Sequence, residues 1–341
     1  MLKIYSDTKI YALCPSQYAT GGPEAIHQLV DKLRKLGHDA SIVYIPHVEN
    51  PTPESFKKYN IGIARNVEDR PENLLIAPEG WISKLSPYQK IQKAIWWLSV
   101  DNAEKNTTQI GTKVNARWKN LKKIKFVFNA YKFINRRGKN VFDFKSEKNR
   151  GVIHFAQSVY AQTFLNNHLA GEIYSLSDYL GEEYAKPFKQ RKREDIVLYN
   201  PKKGEEITSK LIKAAPDIKW TPLQNMTPRQ VAELMEKSKV YIDFGEHPGK
   251  DRIPREAAMK GCCIIAGLKG SARFFQDMPI DQSYKFEVNP LDVVRIIDKI
   301  KECLERYEGK TGDFDNYRRK ILMNEEVFEE EVWDIFGAKS K

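Results

Sequence analysis

Short apolar stretches alternate with amphipathic helical patterns along most of this sequence, and this alternation constrains the fold more than any other feature. Near the start, KIYALCP (9–15) is typical of a buried strand, EAIHQLVDKLRKLGHDA (24–40) has apolar residues at helical spacing up to Gly37, and SIVYIP (41–46) is typical of a second strand. A strand, helix and strand in this order require two parallel strands joined by a right-handed crossover. The sequence therefore predicts a parallel sheet covered by helices.

The same alternation begins again after the basic segment KPFKQRKRED (186–195). With 341 residues, the chain has the length of two domains of roughly 150 residues each. We predict an α/β fold of two Rossmann-like domains that face each other across a cleft, with boundaries at residues 1–188 and 189–321. The tail NEEVFEEEVWDIF (324–336) predicts a final amphipathic helix.

Composition narrows the class of protein. Apolar residues make up 41% of the chain and aromatic residues 11%, which supports packed cores and argues against a disordered chain. No stretch has the roughly 18 to 20 uninterrupted apolar residues of a membrane span, and the first residues lack the pattern of a secretion signal, so a cytoplasmic location is expected. The four cysteines show no C-x-x-C spacing, which predicts reduced thiols without a metal.

The net charge of +11 is concentrated in one window, residues 113–150. This window contains thirteen lysines and arginines but only two acidic residues. Such a patch attracts polyanions, which include nucleic acid, an anionic membrane surface and phosphorylated substrates. A solvated surface loop is an equally simple explanation.

Two predicted strand-to-helix turns carry features of phosphate binding. In TGGPE (20–24), Gly21 and Gly22 allow close backbone approach, and the next helix offers free N–H groups to an anion. In YNPKKGEE (199–206), Lys202 or Lys203 could neutralise a diphosphate. The first turn is not G-x-G-x-x-G, which disfavours a dinucleotide site, and each turn alone could be a plain surface turn.

A third segment, FGEHPGKDRIPREAAMKGCCIIAG (244–267), follows the predicted strand VYIDFG. Its first part is expected to form a loop at the carboxyl end of that strand, where α/β folds bind ligands. Glu256 is predicted to begin the next helix, either as an acceptor for ligand hydroxyls such as a ribose diol or as a capping acid.

These segments, taken in order, resemble the nucleotide-sugar glycosyltransferases of the GT-B fold, especially the retaining group that includes family 4. PREAAMKGCCIIAG is similar to the second half of that group's E-x(7)-E donor-binding element, GGPEAIHQLVDKLRKLGHDASIVY to its first βαβ unit, and LYNPKKG to its G-R-L-x-x-x-K-G segment. The resemblance covers most of the chain. It also implies that a closing helix, here 322–338, crosses back onto the N-terminal domain.

Residue roles follow from this resemblance. Gly21 and Gly22 would approach the diphosphate or sugar, Lys203 would neutralise the diphosphate, and Glu256 would hold the ribose hydroxyls. The sequence departs from the pattern at two places. The arginine of the G-R-L segment falls at or near Asn200, so Lys250 or Arg252 would supply that charge. The first glutamate falls on Pro248, so either Glu246 takes its role through a longer loop, or His247 and Asp251 contact the sugar.

Other positions have weaker claims. Asp101 ends the predicted strand IWWLSVD and would either face a sugar or cap a helix. Gln224 and Asn225 follow the predicted strand IKWTPL, where the GT-B fold usually holds the base. Trp96 and Trp97 alternate on a predicted strand, so one of them is expected in the core. The candidate catalytic residues are thus Glu246, His247 and Asp101, and the candidate donor-binding residues are Gly21, Gly22, Asn200, Lys202, Lys203, Gln224, Asn225, Gly249, Lys250, Asp251, Arg252 and Glu256.

The leading hypothesis is transfer of a sugar from a nucleoside diphosphate sugar to a hydroxyl of a glycan or lipid-linked acceptor in polysaccharide or glycoconjugate synthesis. The resemblance implies retention at the anomeric carbon and no metal or other cofactor, and there is no D-x-D motif beside a predicted strand. The window 113–150 would suit peripheral association of the protein with an anionic membrane surface. The rival hypotheses are a nucleotide-sugar 2-epimerase of the same fold and a basic nucleic-acid-binding protein. The second is ranked lower, and nucleic acid is not expected as a partner.

Overall fold

The computed structural model describes residues 2–102, 151–168, 171–184, 186, 188, 192–287, 289 and 292–337. The basic window 113–150 and the predicted strand IKFVFNAY (124–131) lie outside these residues. The chain divides into two compact units. The first comprises Met1–Ala156, Ala161–Ser175 and Asp334–Lys341, and the second comprises Gln157–Tyr160 and Leu176–Trp333.

The first unit contains a parallel sheet with the strand order β3-β2-β1-β4-β5-β6-β7. Its strands are β1 (Lys9–Pro15), β2 (Asp39–Ile45), β3 (Gly62–Ile63), β4 (Leu74–Pro78), β5 (Gln92–Trp97), β6 (Ile153–Ala156) and β7 (Ile173–Ser175). Helix α1 (Gly21–Lys35) connects β1 to β2, as the sequence predicts, and buries its apolar stripe. Helix α2 (Val159–Asn167) lies between β6 and β7 in the chain.

Both tryptophans of β5 are core residues, although the sequence predicts only that one of them is in the core. Trp96 and Trp97 are each 1% exposed. Strand β5 pairs with β4 on one side and β6 on the other, and an interior strand of a parallel sheet is covered on both faces. Alternation along such a strand therefore does not separate core from surface.

The second unit contains a parallel sheet with the order β12-β11-β10-β8-β9. Its strands are β8 (Glu194–Tyr199), β9 (Lys219–Pro222), β10 (Ser238–Asp243), β11 (Cys263–Gly267) and β12 (Lys285–Phe286). The helices that follow are α3 (Glu205–Ala214), α4 (Pro228–Lys237), α5 (Arg252–Met259), α6 (Val293–Glu305), α7 (Tyr307–Lys310), α8 (Asp315–Leu322) and α9 (Asn324–Phe336). The predicted α/β class with two Rossmann-like sheets is confirmed.

The last helix, α9, begins in the second unit, and its residues from Asp334 onward belong to the first. In the first unit, the ring of Phe336 lies 5.9 Å from that of Phe155 and 6.4 Å from that of His38. None of the helices within the described residues is long and apolar enough to cross a bilayer.

A buried arginine fixes the end of two helices in the second unit. Arg193 donates from Nη1 to the carbonyl oxygens of Met235 (3.0 Å) and Ser238 (2.7 Å), and from Nη2 to that of Lys260 (2.5 Å). These carbonyls lie at the carboxyl ends of α4 and α5, where the helix dipole favours a cation. The guanidinium therefore satisfies carbonyl groups that the helices themselves leave unpaired.

We expect Arg193→Lys to destabilise the protein by roughly 2–4 kcal/mol, because an ammonium group cannot reproduce the planar fork that reaches all three carbonyls. Thermal unfolding of the full chain measures the effect. Arg229→Lys is the matched control, since Arg229 has a side chain that is 89% exposed and pairs with Glu233 on its own helix. Equal midpoints for the two variants would contradict this role for Arg193.

Candidate functional site

The candidate site lies where the strand order of the second sheet reverses. From β8 the chain passes to β9 on one side, and then to β10, β11 and β12 on the other. In open parallel sheets, ligands bind outside the carboxyl ends of the strands at such a switch point. The turn after β8 (200–204) and the loop after β10 (244–251) follow the two strands that meet there.

The turn after β8 is packed tightly against the end of β10. Gly204 has φ +61°, and a Cβ atom there would lie 2.6 Å from the carbonyl oxygen of Phe244. Only glycine therefore fits at the start of α3. The preceding residue, Lys203, is 28% exposed at its side chain, and its Nζ lies 2.7 Å from Oδ2 of Asp251. The packed glycine thus brings a lysine of the first segment to a carboxylate of the second.

Asp251 also interacts with a buried histidine. The imidazole of His247 is fully buried, and its Nδ1 lies 2.9 Å from Oδ2 of Asp251, at an ion-pair distance but without the alignment of a good hydrogen bond. On the other side of the ring, Nε2 lies 3.2 Å from the carbonyl oxygen of Asp243 and 3.7 Å from its Oδ1. Lys203, Asp243, His247 and Asp251 are called the Asp251 cluster below.

The charges of the Asp251 cluster support one another. Burial opposes the charged form of His247, but Asp251 and Asp243 outweigh it and raise the pKa of the imidazole. Burial likewise opposes the charge of Lys203, yet Asp243 and Asp251 raise the pKa of its ammonium group. Although burial disfavours ionised Asp251, His247 and Lys203 lower the pKa of its carboxyl group. With both carboxylates ionised and both bases protonated, the cluster has no net charge.

This charge balance bears on metal binding. Asp243, His247 and Asp251 offer ligand atoms that all lie within 4.8 Å of one another, a spacing compatible with a divalent ion. However, the ammonium group of Lys203 is already 2.7 Å from Asp251. A cation at this position would compete with Lys203 and with the proton on His247. The arrangement therefore fits an ion-pair cluster better than a metal centre.

The loop after β10 has a fixed path. His247 has φ +47°, a strained value for a side chain of this size. A Cβ atom at Gly270 would lie 2.0 Å from the carbonyl oxygen of His247, and Ser271 donates from its backbone N–H to that same carbonyl (2.9 Å) and from Oγ to Gly249 (2.6 Å). The segment at Gly270 and Ser271 thus holds the loop and the ring of His247 in place.

Glu256 does not begin the helix that contains it, which corrects the expectation from the sequence. Helix α5 begins at Arg252, with Asp251 as the residue before its first turn. Pro254 fits inside this first turn, because the N–H groups there have no helical partner. Glu256 lies in the second turn, where its Oε1 is 3.3 Å from Nε of Arg252. A helix dipole therefore favours a charge at Asp251 more than at Glu256.

Sequence reasoning missed a buried polar network behind the loop. Arg255 is 1% exposed and donates from Nη2 to Oδ2 of Asp178 (2.7 Å) and to the carbonyl oxygen of Lys250 (2.9 Å). Gln157 donates to Oδ1 of Asp178 (3.0 Å) and accepts from the backbone N–H of Lys250 (2.8 Å). Burial, together with the charge of Arg255, lowers the pKa of Lys250. No sequence motif marked Gln157 or Asp178, because they are distant in the chain from the loop that they hold.

The remaining predicted residues of the second unit have diverse surroundings. Glu246 is exposed and pairs with Lys269 (2.7 Å). Oδ1 of Asn200 accepts from the backbone N–H of Lys202 (3.0 Å), which closes the turn after β8. Gln224 and Asn225 are exposed after β9, and Asn225 has φ +54°. The structure thus brings Lys203, His247 and Asp251 into contact and leaves Glu246 outside the cluster.

Three predicted residues belong to the first unit. Gly21 and Gly22 form the first turn of α1, after β1. They lie at the switch point of the first sheet, where β1 is flanked by β2 and β4. Strand β5 ends at Trp97, so Asp101 does not end a strand as expected, but lies in helical backbone at 100–102.

Glu79 is a second residue that the sequence did not single out. It follows β4 directly, at the same switch point of the first sheet. Its side chain is buried and accepts from the backbone N–H of Leu98 (3.0 Å). Burial raises the pKa of its carboxyl group to about 7. A buried glutamate after an apolar strand has no signature in the sequence, since its neighbours come from another loop.

No protein-family model matches the chain, and no curated protein sequence matches it. Solved structures do. HepE of Anabaena, solved with UDP and glucose, has 11% sequence identity and a TM-score of 0.61, and the match covers 96% of this chain and 98% of that one. A glycosyltransferase from Rickettsia africae has 14% identity and a TM-score of 0.53, with 97% and 95% covered.

TarM of S. aureus, solved with fondaparinux, α-GlcNAc-glycerol and UDP, is also similar, with 13% identity and a TM-score of 0.52. The match covers 80% of this chain and 57% of TarM, so the chain spans little more than half of TarM's length. At these identities the likeness establishes the fold alone. The chain has the GT-B fold of these glycosyltransferases, which confirms the fold that the resemblance implies.

Proposed function

We propose that the protein is a glycosyltransferase that moves a sugar from a nucleoside diphosphate sugar to a hydroxyl group of a glycan or lipid-linked acceptor. The observation that carries the proposal is the position of Lys203 and the Asp251 cluster at the switch point of the second sheet, in a fold shared with glycosyltransferases solved with UDP or UDP-glucose. UDP-sugars are therefore the donors to test first.

The diphosphate is assigned to the turn after β8. Lys203 supplies a cation there, and the first turn of α3 supplies N–H groups and the positive end of a helix dipole. Lys202, Lys250 and Arg252 are further cations in the two segments that flank the switch point. Asp251 would hold the ammonium group of Lys203 in position before the ligand arrives, so that little rearrangement is needed.

The reaction needs stabilisation of the charge that develops on the leaving group. The bond between the anomeric carbon and the diphosphate oxygen breaks, a bond from that carbon to an acceptor oxygen forms, and the proton of the acceptor hydroxyl passes to the departing diphosphate. Fixed cations and N–H groups around the diphosphate stabilise the departing oxygen, and this is the basis on which we propose a reaction without a metal. Retention at the anomeric carbon is part of the same proposal.

The other assignments concern the nucleoside, the sugar and the acceptor. We assign Glu256 to the ribose hydroxyls and the backbone near Gln224 and Asn225 to the base. Gly21 and Gly22 are assigned to the diphosphate or sugar, and Glu246, His247, Gly249 and Asp101 to the sugar. The window 113–150, outside the described residues, is assigned to an anionic membrane surface that carries a lipid-linked acceptor.

Replacing the lysine of the cluster tests the donor site. We expect Lys203→Ala to weaken UDP binding by roughly 10- to 100-fold, because a charge-assisted hydrogen bond contributes about 1.5–3 kcal/mol. Isothermal titration calorimetry with UDP and UDP-glucose measures the change. Lys213→Ala is the control, since Lys213 is an exposed lysine on α3, the helix that follows this turn.

Equal UDP affinity in Lys203→Ala and the wild type would reject the assigned site, and so would absence of UDP binding to the wild type. With UDP-glucose bound, product analysis then separates the enzyme classes. A donor whose sugar changes stereochemistry without transfer would identify an epimerase instead of a transferase.

The assignment of Glu256 has its own test. If the carboxylate accepts from the ribose hydroxyls, the wild type will bind UDP more tightly than 2′-deoxy-UDP, and Glu256→Ala will lose about tenfold of that preference. Binding of both nucleotides to both proteins gives the comparison. A preference for UDP that survives in Glu256→Ala would place the ribose elsewhere.

The pH response of His247 follows from the cluster. Since its pKa is raised in the folded state, the ion pair contributes fully to stability below the unfolded pKa of about 6.5, and this contribution is lost as pH rises through the folded pKa. We expect the difference in thermal midpoint between the wild type and His247→Asn to shrink as the pH rises above about 6.5. Asparagine is chosen because it tolerates a positive φ.

NMR titration of the imidazole checks the same point directly. His247 is expected to titrate above 6.5, and Asp251→Asn is expected to lower its pKa. His154 is an internal control, because burial lowers its pKa to about 4 and it lies in the first unit. A His247 pKa below 6.5 in the wild type would contradict a protonated imidazole between the two acids.

A further inference from the structure

The first unit contains a concave site that has no role in the donor assignment. It is a cavity of about 330 Å³ at the carboxyl ends of β1 and β2. Leu13, Val43 and Ile45 are among its lining residues, and Leu13 and Val43 are buried core positions. This volume is at the lower end of the range of about 300–1,000 Å³ typical of small-ligand pockets.

The polar lining of the cavity is entirely without carboxylates. Three basic side chains, those of His47, Arg65 and Lys84, line it together with Asn66 and Tyr88. Within the described part of the chain, no acidic residue pairs with any of the three basic side chains, whereas Lys9 and Lys57 of the same unit pair with Glu68 and Glu54. The cavity therefore presents basic side chains that no carboxylate of the described residues pairs with.

The three basic residues come from separate parts of the unit. His47 follows β2, Arg65 follows β3, and Lys84 lies in the turn segment Glu79–Leu85 after β4. All three residues are exposed, and the ends of three strands bring them to the rim of one cavity. Next to the apolar base, an anion would be partly removed from water, and its attraction to these cations would be stronger than in bulk solvent.

We propose that this cavity binds an acceptor that carries an anionic group, either a phosphate or a carboxylate. Arg65 and Lys84 would hold the charge, and the ring of Tyr88 and the apolar base would contact the rest of the molecule. That the bound molecule is an acceptor rests on the proposed glycosyltransferase function. The anion binding itself rests only on the lining of the cavity.

The test is a methyl NMR titration of the full chain, observed at Leu13, Val43 and Ile45 and carried out with saturating UDP so that the donor site is occupied. Three probes are compared: glucose 6-phosphate, glucuronate and uncharged glucose. We expect saturable shifts with at least one of the two anionic probes and none with glucose. The probe that binds more tightly identifies the anionic group as phosphate or carboxylate.

The double variant Arg65→Gln/Lys84→Gln is expected to lose about tenfold or more of this affinity and to keep its affinity for UDP. The double variant Lys35→Gln/Lys57→Gln removes the same formal charge from exposed, ion-paired lysines of the first unit and is expected to bind like the wild type. These are surface side chains, and unchanged thermal midpoints confirm that both variants fold.

Three results would overturn the inference: glucose shifts the methyl groups as the anions do, the Arg65/Lys84 variant binds the anions like the wild type, or both double variants lose binding equally. Each of these with UDP binding intact would leave the proposed donor site standing. Conversely, anion binding at the cavity in a protein that does not bind UDP would support the anion site and reject the proposed function.

Discussion

The shared carboxylate of Asp251 is the interaction on which the candidate site depends. It accepts a hydrogen bond from the ammonium group of Lys203, in the turn after β8, and it lies against the imidazole of His247 in its own loop. It is also the residue that precedes α5. One side chain thereby connects the two segments that flank the switch point to the helix that follows them. Removing its charge would leave a buried imidazolium and a half-buried lysine without their common partner.

The parallel sheet determines where this cluster forms. Because β8 and β10 are neighbours in the second sheet although β9 separates them in the chain, their carboxyl ends deliver two distant sequence segments to one place. Gly204 sets the distance between these two segments, since no side chain fits there against Phe244. Gly270 sets the distance between the loop after β10 and the segment at 270–271, since no side chain fits there against His247. Behind the loop, Arg255 and Asp178 satisfy its backbone in the core. The position of the Asp251 cluster therefore depends on the close packing of the residues behind it.

Local patterns predicted the elements and the segments of the site, but not the contacts between them. Strand and helix periodicity predicts α1, β8 and β10, and local sequence marks the turn after β8 and the loop after β10 but not the contact between them. Helix α5 begins at Arg252, two residues before Pro254, and no local pattern marks this start because proline is accommodated in the first turn of a helix. The burial of both Trp96 and Trp97, the burial of Glu79 and the Arg255 network all depend on which strands are neighbours, and no local pattern carries that information.

Hydrogen–deuterium exchange of the full chain with and without saturating UDP tests the central claim most directly, because it reports on both segments of the switch point without any substitution. We expect slower exchange of backbone amides at 200–204 and 244–256 when UDP is bound. Unchanged exchange at both segments under saturating UDP, or protection confined to other parts of the chain, would contradict it.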